Sequence, residues 1–431
     1  MTPRRILLSL LCMLSVAAAV QAQDKPQLSA ADRDAALQKI AALLQEQYVF
    51  PELRPQLVAR LDAARRDGRY DVDDPKIFAE RITDDLHQVS HDGHLWMAFD
   101  PAAYGASSSG EDGEEEFWRQ HAIRSHHGLA EMKILGGNIR YLRITGFEWV
   151  EDETGKAYDG AMQFLKEGDA VIIDLRGNGG GSHSAVRYLI SHFMPGGKLE
   201  MTFMEGSKVA EQSHTLEYLP AGRLQGRPLY VLIDGGVASA GEAFAYDVQQ
   251  FKLGELVGER TAGAANNNNL LPVPPGFILS VSYGRPVHPV SNANWEGSGI
   301  EPTVAAPAAQ ALDIAQQLAL TRLSQAPDTS PEKLADYAWA KVGIEARLHP
   351  VAMSEKRLKA LAGKYGRIDV SFRDGALWLS RPNRPTSRLS PLTADGLFAL
   401  ERADHLRAHL TGKNLELWQA GQPEPRVFPR S

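Results

Sequence analysis

Val171-Ile172-Ile173-Asp174-Leu175-Arg176-Gly177-Asn178-Gly179-Gly180-Gly181-Ser182 is the stretch on which the fold turns. Residues 170–175 form a near-continuous apolar run, the pattern of a strand buried on both faces. The run ends in charged residues and then meets four glycines within five positions. Such a loop lets the backbone approach a ligand closely and presents N–H groups, which suits a phosphate or an oxyanion. No Gly-Lys-Ser/Thr follows and the spacing is not G-x-G-x-x-G, so neither common nucleotide loop is present.

Working outward, the same punctuation recurs at Val231-Leu232-Ile233-Asp234-Gly235-Gly236-Val237-Ala238-Ser239-Ala240-Gly241-Glu242. A second buried strand (229–233) breaks on glycines, and a helix follows over 241–251. With a strand at 139–144 and a helix over 158–165, residues 138–305 read as strands alternating with helices. That is a parallel or mixed sheet with helices on its faces, an α/β class. A helix over 308–323 closes the segment. Upstream, Ala36, Ile40, Leu43 and Leu44, then Leu57, Leu61 and Ala64, then Phe78, Ile82 and Leu86 recur at helical spacing. Residues 29–90 therefore read as a bundle of three short helices. The Gly-, Ser- and acid-rich stretch 105–117 reads as an exposed loop. Downstream, Ala326-Pro327-Asp328-Thr329-Ser330-Pro331 has the composition of a linker. Residues 331–431 start helical and then alternate, with strands expected at 368–372, 376–380, 397–400 and 415–417, a small and mostly β domain.

The whole chain fits this division. Its 431 residues are 43% apolar and 23% charged, with a formal net charge of −7. Length implies two or three domains, and the acidic balance leaves no basic stripe for a nucleic-acid partner. Arg4 and Arg5, an apolar run over 6–19, and Val20-Gln21-Ala22 have the layout of a cleavable secretory signal over 1–22, too short for stable membrane insertion. Cleavage after Ala22 would also remove Cys12, the only cysteine. Cysteine catalysis and disulfides are then excluded, and the mature protein is expected outside the cytoplasm, periplasmic or secreted.

Ser239 stands where a helix begins, at the positive end of the helix dipole, where developing negative charge is stabilised. A plain N-cap serine would occupy the same place. A nucleophile further needs a base, an orienting acid and an oxyanion hole. His91-Asp92-Gly93-His94 ends the helical region; its two histidines lack a third ligand at metal-binding spacing. Glu296 lies in the glycine-flanked Trp295-Glu296-Gly297-Ser298-Gly299. An α/β-hydrolase is disfavoured, because Val237 replaces the first glycine of G-x-S-x-G and His288, between Pro286 and Pro289, reads as a loop residue.

Four ordered motifs now resemble a family. IDLRGNGGG, the ASAGE around Ser239, GERTAG at 258–263 and NWEGSGIEP at 294–302 are similar in order and spacing to the S41 serine peptidases. The branch is that of the tricorn core protease and the retinol-binding repeats of the interphotoreceptor protein, and the resemblance covers about 36 to 323. It implies a crotonase/ClpP-like sheet domain over 91–325. The branch with a Ser–Lys pair has lysine 25 positions after serine, but that position is Ala264. The histidine branch maps its base onto His94 and its acid onto Glu296. The other branch's inserted PDZ domain has no room between His94 and Ile139. Ala264 also departs from a frequent Gly-Gly, and Thr303 from a frequent aspartate. The resemblance thus implies a peptidase acting on unfolded or short peptides, with Ser239 as nucleophile and N–H groups of Gly179 or Gly180 and of Ala240 as oxyanion donors. No cofactor or metal is implied. The other reading is a non-catalytic binding protein for lipids or retinoids on the same fold. Protein recovered from its host should start near Gln23, outside the cytoplasm; an intact Met1 in a cytoplasmic fraction would contradict the leader.

Overall fold

Residues 27–108 and 111–431 are described in the structure, a computed structural model. The expected leader and Cys12 lie outside the described residues. No helix among the described residues is long and apolar enough to cross a membrane.

Three helices open the fold: α1 (Ala30–Gln47), α2 (Arg54–Arg66) and α3 (Pro75–Ser90). Ser29 and Asp32 form a reciprocal capping box on α1, and Asp74 caps α3 ahead of Pro75. Each device satisfies N–H groups that a helix start leaves unpaired. The expected stripes are the buried faces: Ile40, Leu57, Phe78, Ile82 and Leu86 are fully buried. Between helices, the fully buried Asp85 carboxylate accepts from Arg60, from Arg69 Nε at 3.0 Å and from Tyr70 Oη at 2.7 Å.

The chain continues through β1 (Trp96–Phe99), α4 (Pro101–Ser108), α5 (Glu111–Arg124), β2 (Leu129–Leu135), β3 (Ile139–Ile144), α6 (Glu151–Lys166), β4 (Ala170–Asp174) and α7 (His183–Ser191). Then come β5 (Leu199–Glu205), β6 (Lys208–His214), β7 (Leu229–Ile233), α8 (Ala240–Gln250), β8 (Glu255–Gly258), β9 (Asn267–Val273), β10 (Phe277–Val287), β11 (Val304–Ala305) and α9 (Ala311–Gln325). Of the loop expected over 105–117, residues 105–108 are instead the end of α4 and 111–117 the first half of α5. Straight-chain glutamates are good helix formers, and composition alone hid that.

Two sheets make the central region. A six-stranded sheet runs β11-β8-β7-β4-β3-β2, parallel from β3 to β11 with β2 antiparallel at the edge. All residues of β4 and β7 are buried. These neighbours both end at the same rim, where their glycine loops emerge side by side. The second sheet, antiparallel β1-β10-β5-β6 with β9 also on β10, was not foreseen. Its Val273, Phe277, Leu279 and Val281 pack into the core of the N-terminal helices, so it bridges bundle and parallel sheet.

Helix α10 (Pro331–Leu348) follows the expected joint. It lies on α9, with Tyr337 and Ile344 in the same core as Ala315, Ala319 and Ile172 of the parallel-sheet unit. Tyr337 Oη and Lys333 Nζ reach Asp169 at 2.7 and 2.8 Å. After α11 (Glu355–Leu361) come β12 (Gly363–Tyr365), β13 (Ile368–Arg373), β14 (Ala376–Ser380), β15 (Ser387–Pro391), β16 (Leu397–Leu400), β17 (Leu406–Leu410), β18 (Asn414–Gln419) and β19 (Arg426–Pro429). They form one antiparallel meander in chain order, and a bridge from Tyr365 to Arg430 all but closes it into a barrel.

Asp85→Ala would strand two half-exposed arginines and a buried tyrosine hydroxyl. We expect a loss of roughly 2–3 kcal/mol in denaturant unfolding of the N-terminal region. A loss under about 0.5 kcal/mol would contradict the role given to this carboxylate.

Candidate functional site

At the rim of the parallel sheet the two glycine loops are tied together by side chains. Asp234 Oδ1 accepts from Gly177 N–H and Gly236 N–H, both at 2.9 Å. The fully buried Asn178 donates to the Ile144 carbonyl at 3.0 Å, and its own carbonyl accepts from Ala238 N–H at 3.0 Å. Ser239 follows at the N-cap of α8 with φ 52° and ψ −122°. A non-glycine residue there is strained by about 1–3 kcal/mol and persists only where its surroundings hold it.

They do hold it. Ser239 N–H lies 3.1 Å from both the Ala264 carbonyl and Glu242 Oε2. Glu242 is fully buried and also accepts from Thr261 Oγ1 at 2.5 Å, Gly263 N–H at 2.7 Å and Ala264 N–H at 2.8 Å. Burial raises its pKa above the ordinary carboxylate value, against those four bonds. On the other side Gly180 abuts Ser239: a Cβ at Gly180 would stand 2.6 Å from the Ser239 Cβ and 3.1 Å from Ala240 N.

This geometry favours Gly179 over Gly180 as an oxyanion donor. Gly180 N–H is donated to Asn178 Oδ1 at 2.8 Å, so it is committed inside the loop. The N–H groups of Gly179 and Ala240 have no acceptor among the described residues, and Ala240 starts a helix. Those two remain the candidate donors.

His94 and Glu296 come together from distant parts of the chain. A nitrogen of His94 and oxygens of Asp92 and Glu296 lie within 4.8 Å of one another. Glu296 is held by Ala265 N–H at 2.6 Å and Asn266 N–H at 2.9 Å, both on Oε2. Its Oε1 and His94 Nδ1 are buried with no hydrogen-bond partner among the described residues. Burial raises Glu296, and backbone donors oppose this while Asp92 adds to it. Burial lowers His94 below its usual value, against the pull of Asp92. Asp92 itself accepts from Tyr48 Oη at 3.3 Å and His94 N–H at 2.9 Å. The three side chains have donor types that a cation accepts, so a metal reading now has the third ligand that spacing did not reveal. His91 is not part of it: it is the exposed, left-handed C-cap of α3.

Ser239 is linked to this group through Ala264, and no hydrogen bond joins it to His94. A Cβ at Gly93 would stand 3.0 Å from the Ala264 Cβ, and the Ala264 carbonyl also accepts from Trp295 Nε1 at 3.1 Å. Beside Ser239 a pocket of about 140 Å³ is walled by Met201, Phe203, Ala243, Ala265 and Trp295, with His183 at its edge.

Behind that wall sits an array missed from sequence. His183 Nε2 lies 2.8 Å from Glu200 Oε1, and His288 Nε2 lies 3.3 Å from Asp247 Oδ1. Glu200, Asp247 and His288 are fully buried. Val290 N–H donates to His288 Nδ1 at 3.1 Å, so Nε2 carries the hydrogen; it lies near Asp247 without hydrogen-bond geometry, and neither atom has another partner among the described residues. Burial pushes His288 down to about 4, keeping it neutral. Burial and the neighbouring Glu200 hold Asp247 well above the carboxylate range. His288 is the loop residue that its flanking prolines suggested, just past the end of β10, but a fully buried one.

Comparison with known proteins completes the picture. The sequence model of peptidase family S41 matches residues 138–306, and that of the N-terminal domain of S41 peptidases in eukaryotic IRBP matches residues 21–118, together more than half of the chain. This chain belongs to peptidase family S41. Among curated relatives, the carboxy-terminal processing protease CtpB of Bacillus subtilis (strain 168) is 28% identical over 181 residues, 41% of this chain and 35% of that protein. The match therefore spans about a third of that relative's length. Among solved structures, a lipoprotein from Streptococcus agalactiae is 13% identical at a TM-score of 0.47, covering 68% of this chain and 98% of that one. The photosystem II D1 C-terminal processing protease is 14% identical at a TM-score of 0.40, covering 65% of this chain and 94% of that one.

Gly180 has φ +111° and no room for a Cβ, whereas a Cβ at Gly179 would meet nothing within 4 Å. Gly180→Ala should therefore cost roughly 2–3 kcal/mol of stability, and Gly179→Ala well under 1. Equal thermal midpoints for the two variants would contradict this account of the loop.

Proposed function

We propose that this S41 member is an exported serine peptidase that cuts short or unfolded peptides with Ser239, His94 and Glu296. The observation that carries the reading is the strained Ser239 at the start of α8, locked from both sides by Glu242 and Gly180. Strain of this kind is expected where a side chain must be aimed at a substrate. An N-cap serine alone would adopt ordinary extended geometry.

In this mechanism Ser239 Oγ attacks the scissile carbonyl and His94 takes its proton. Glu296 holds the imidazole and stabilises the imidazolium that forms. Gly179 and Ala240 N–H groups receive the oxyanion, each worth roughly 3–4 kcal/mol in the transition state. The separations between these side chains close when substrate is bound, as is common for free enzymes. A peptide must lie extended across the glycine loop, and a folded protein's backbone groups are already paired. The N-terminal leader pattern supports export. The pocket beside Ser239, about 140 Å³, is below the roughly 300–1,000 Å³ usual for a retinoid-sized ligand, so a retinoid-type reading does not use this pocket.

Two outcomes test the assignment. Ser239→Ala should lower turnover of an unfolded casein-like substrate by roughly 10⁴–10⁶-fold, His94→Ala nearly as much, and His91→Ala hardly at all. Activity of Ser239→Ala within tenfold of the parent would contradict it. His94 must be neutral to accept a proton, so activity falls as pH drops through its pKa. Because burial lowers that pKa, the acid limb of kcat/KM should lie below 6.5; a midpoint above 6.5 would contradict His94 as base.

A further inference from the structure

The C-terminal meander has a built mouth. Its connections 381–386, 401–405 and 420–425 all emerge at one end of the nearly closed sheet and surround a cavity of about 840 Å³. The floor is apolar: Ala403, Leu406 and Leu417 belong to the buried core beneath. That core is filled by side chains such as Leu377, Phe398 and Leu410, all fully buried, so the cavity does not continue inward as a channel for an acyl chain or a retinoid.

The rim is basic. Arg381, Arg384, Arg402 and Arg426 line it, in a chain whose formal net charge is −7. None of the four forms an ion pair or donates a side-chain hydrogen bond among the described residues, and the two rim carboxylates, Glu401 and Glu424, pair with none of them. Arg381 is the most telling. It is half-buried, and its Nε is shut off from solvent with no acceptor. Burial and the nearby Arg384 guanidinium push its pKa down. Placing two guanidiniums together over an apolar floor without a counter-ion is unfavourable, unless an anion bridges them. Guanidinium forks match the two-oxygen edge of phosphate and carboxylate groups.

We infer that the mouth of this C-terminal sheet is a binding site for a small, multiply charged oxyanion, gripped by Arg381 and Arg384 with Arg402 and Arg426 completing the rim. The site stands apart from Ser239 and does not depend on the peptidase reading. Its anion has two possible sources, a free polyanion or the phosphate of a lipid headgroup.

The test uses the full mature chain. Titration calorimetry with tripolyphosphate and with citrate at low salt should show saturable binding of at least one. Arg381→Gln/Arg384→Gln should weaken it tenfold or more, and raising salt from 50 to 200 mM should weaken it in the parent. If the double variant does not fold, Arg402→Gln and Arg426→Gln, both at exposed positions, replace it with smaller losses in the same direction. Co-sedimentation with phosphatidylglycerol vesicles, competed by tripolyphosphate, assigns the site to headgroups; calorimetric binding without sedimentation assigns it to a soluble anion. No binding of either anion at about 10 mM, or binding that the arginine variants leave unchanged, overturns the proposal.

Discussion

Four donors converge on one buried carboxylate, that of Glu242, and the geometry of the site follows from it. A carboxylate out of water must collect hydrogen bonds or lose its charge. Here the donors come from the Ser239 turn and from 261–264, so α8 cannot begin in any other way without abandoning buried partners. The same segment, through Ala264 and Gly263, receives Trp295 and Gly297. The ASAGE, GERTAG and WEGSG stretches are thus parts of one hydrogen-bonded unit, which explains why their spacing reads as a signature.

The unit acquires its histidine from outside the parallel sheet. His94 sits between α3 and β1, and its carbonyl accepts from Ser280 of β10. The antiparallel sheet therefore carries the N-terminal helices and the glycine-loop domain in fixed relation. The Asp85 network and the phenylalanine-rich core around Phe277 stiffen the far side of that joint. The Glu200–Asp247–His288 array lies beneath the pocket wall on the near side, joining β5, α8 and the end of β10. Such polar groups are retained in a core at considerable cost, and here their carboxylate oxygens have no hydrogen-bond donor among the described residues.

Much of this was legible in the residues. The apolar runs at 170–175 and 229–233 could only be buried strands, and glycines after both told where the sheet's working rim lies. The helical stripes of the first 90 residues were read from period alone. What escaped were effects set by neighbours distant in sequence. Gly180 is the exception, a local effect: Asn178, two residues earlier, takes its N–H in a turn that the residue types allow but do not dictate. His288 is the loop residue its prolines suggest, but they do not reveal that α8 and β5 enclose it. Strands β9 and β10 were hidden among asparagines and prolines, and α5 among acids, since composition does not record what a segment packs against. The meeting of His94 with Glu296 came from family resemblance, and spacing alone could not have supplied it.

The account's central claim is that Ser239 is a nucleophile poised by a buried base. Mass-spectrometric mapping after treatment with a fluorophosphonate measures this most directly, because the reagent reports the activated serine without any choice of peptide. The account predicts a single adduct, on Ser239, formed at least about 100-fold more slowly in a folded His94→Ala variant. An adduct on a different serine, or Ser239 labelling that is indifferent to His94, would contradict it.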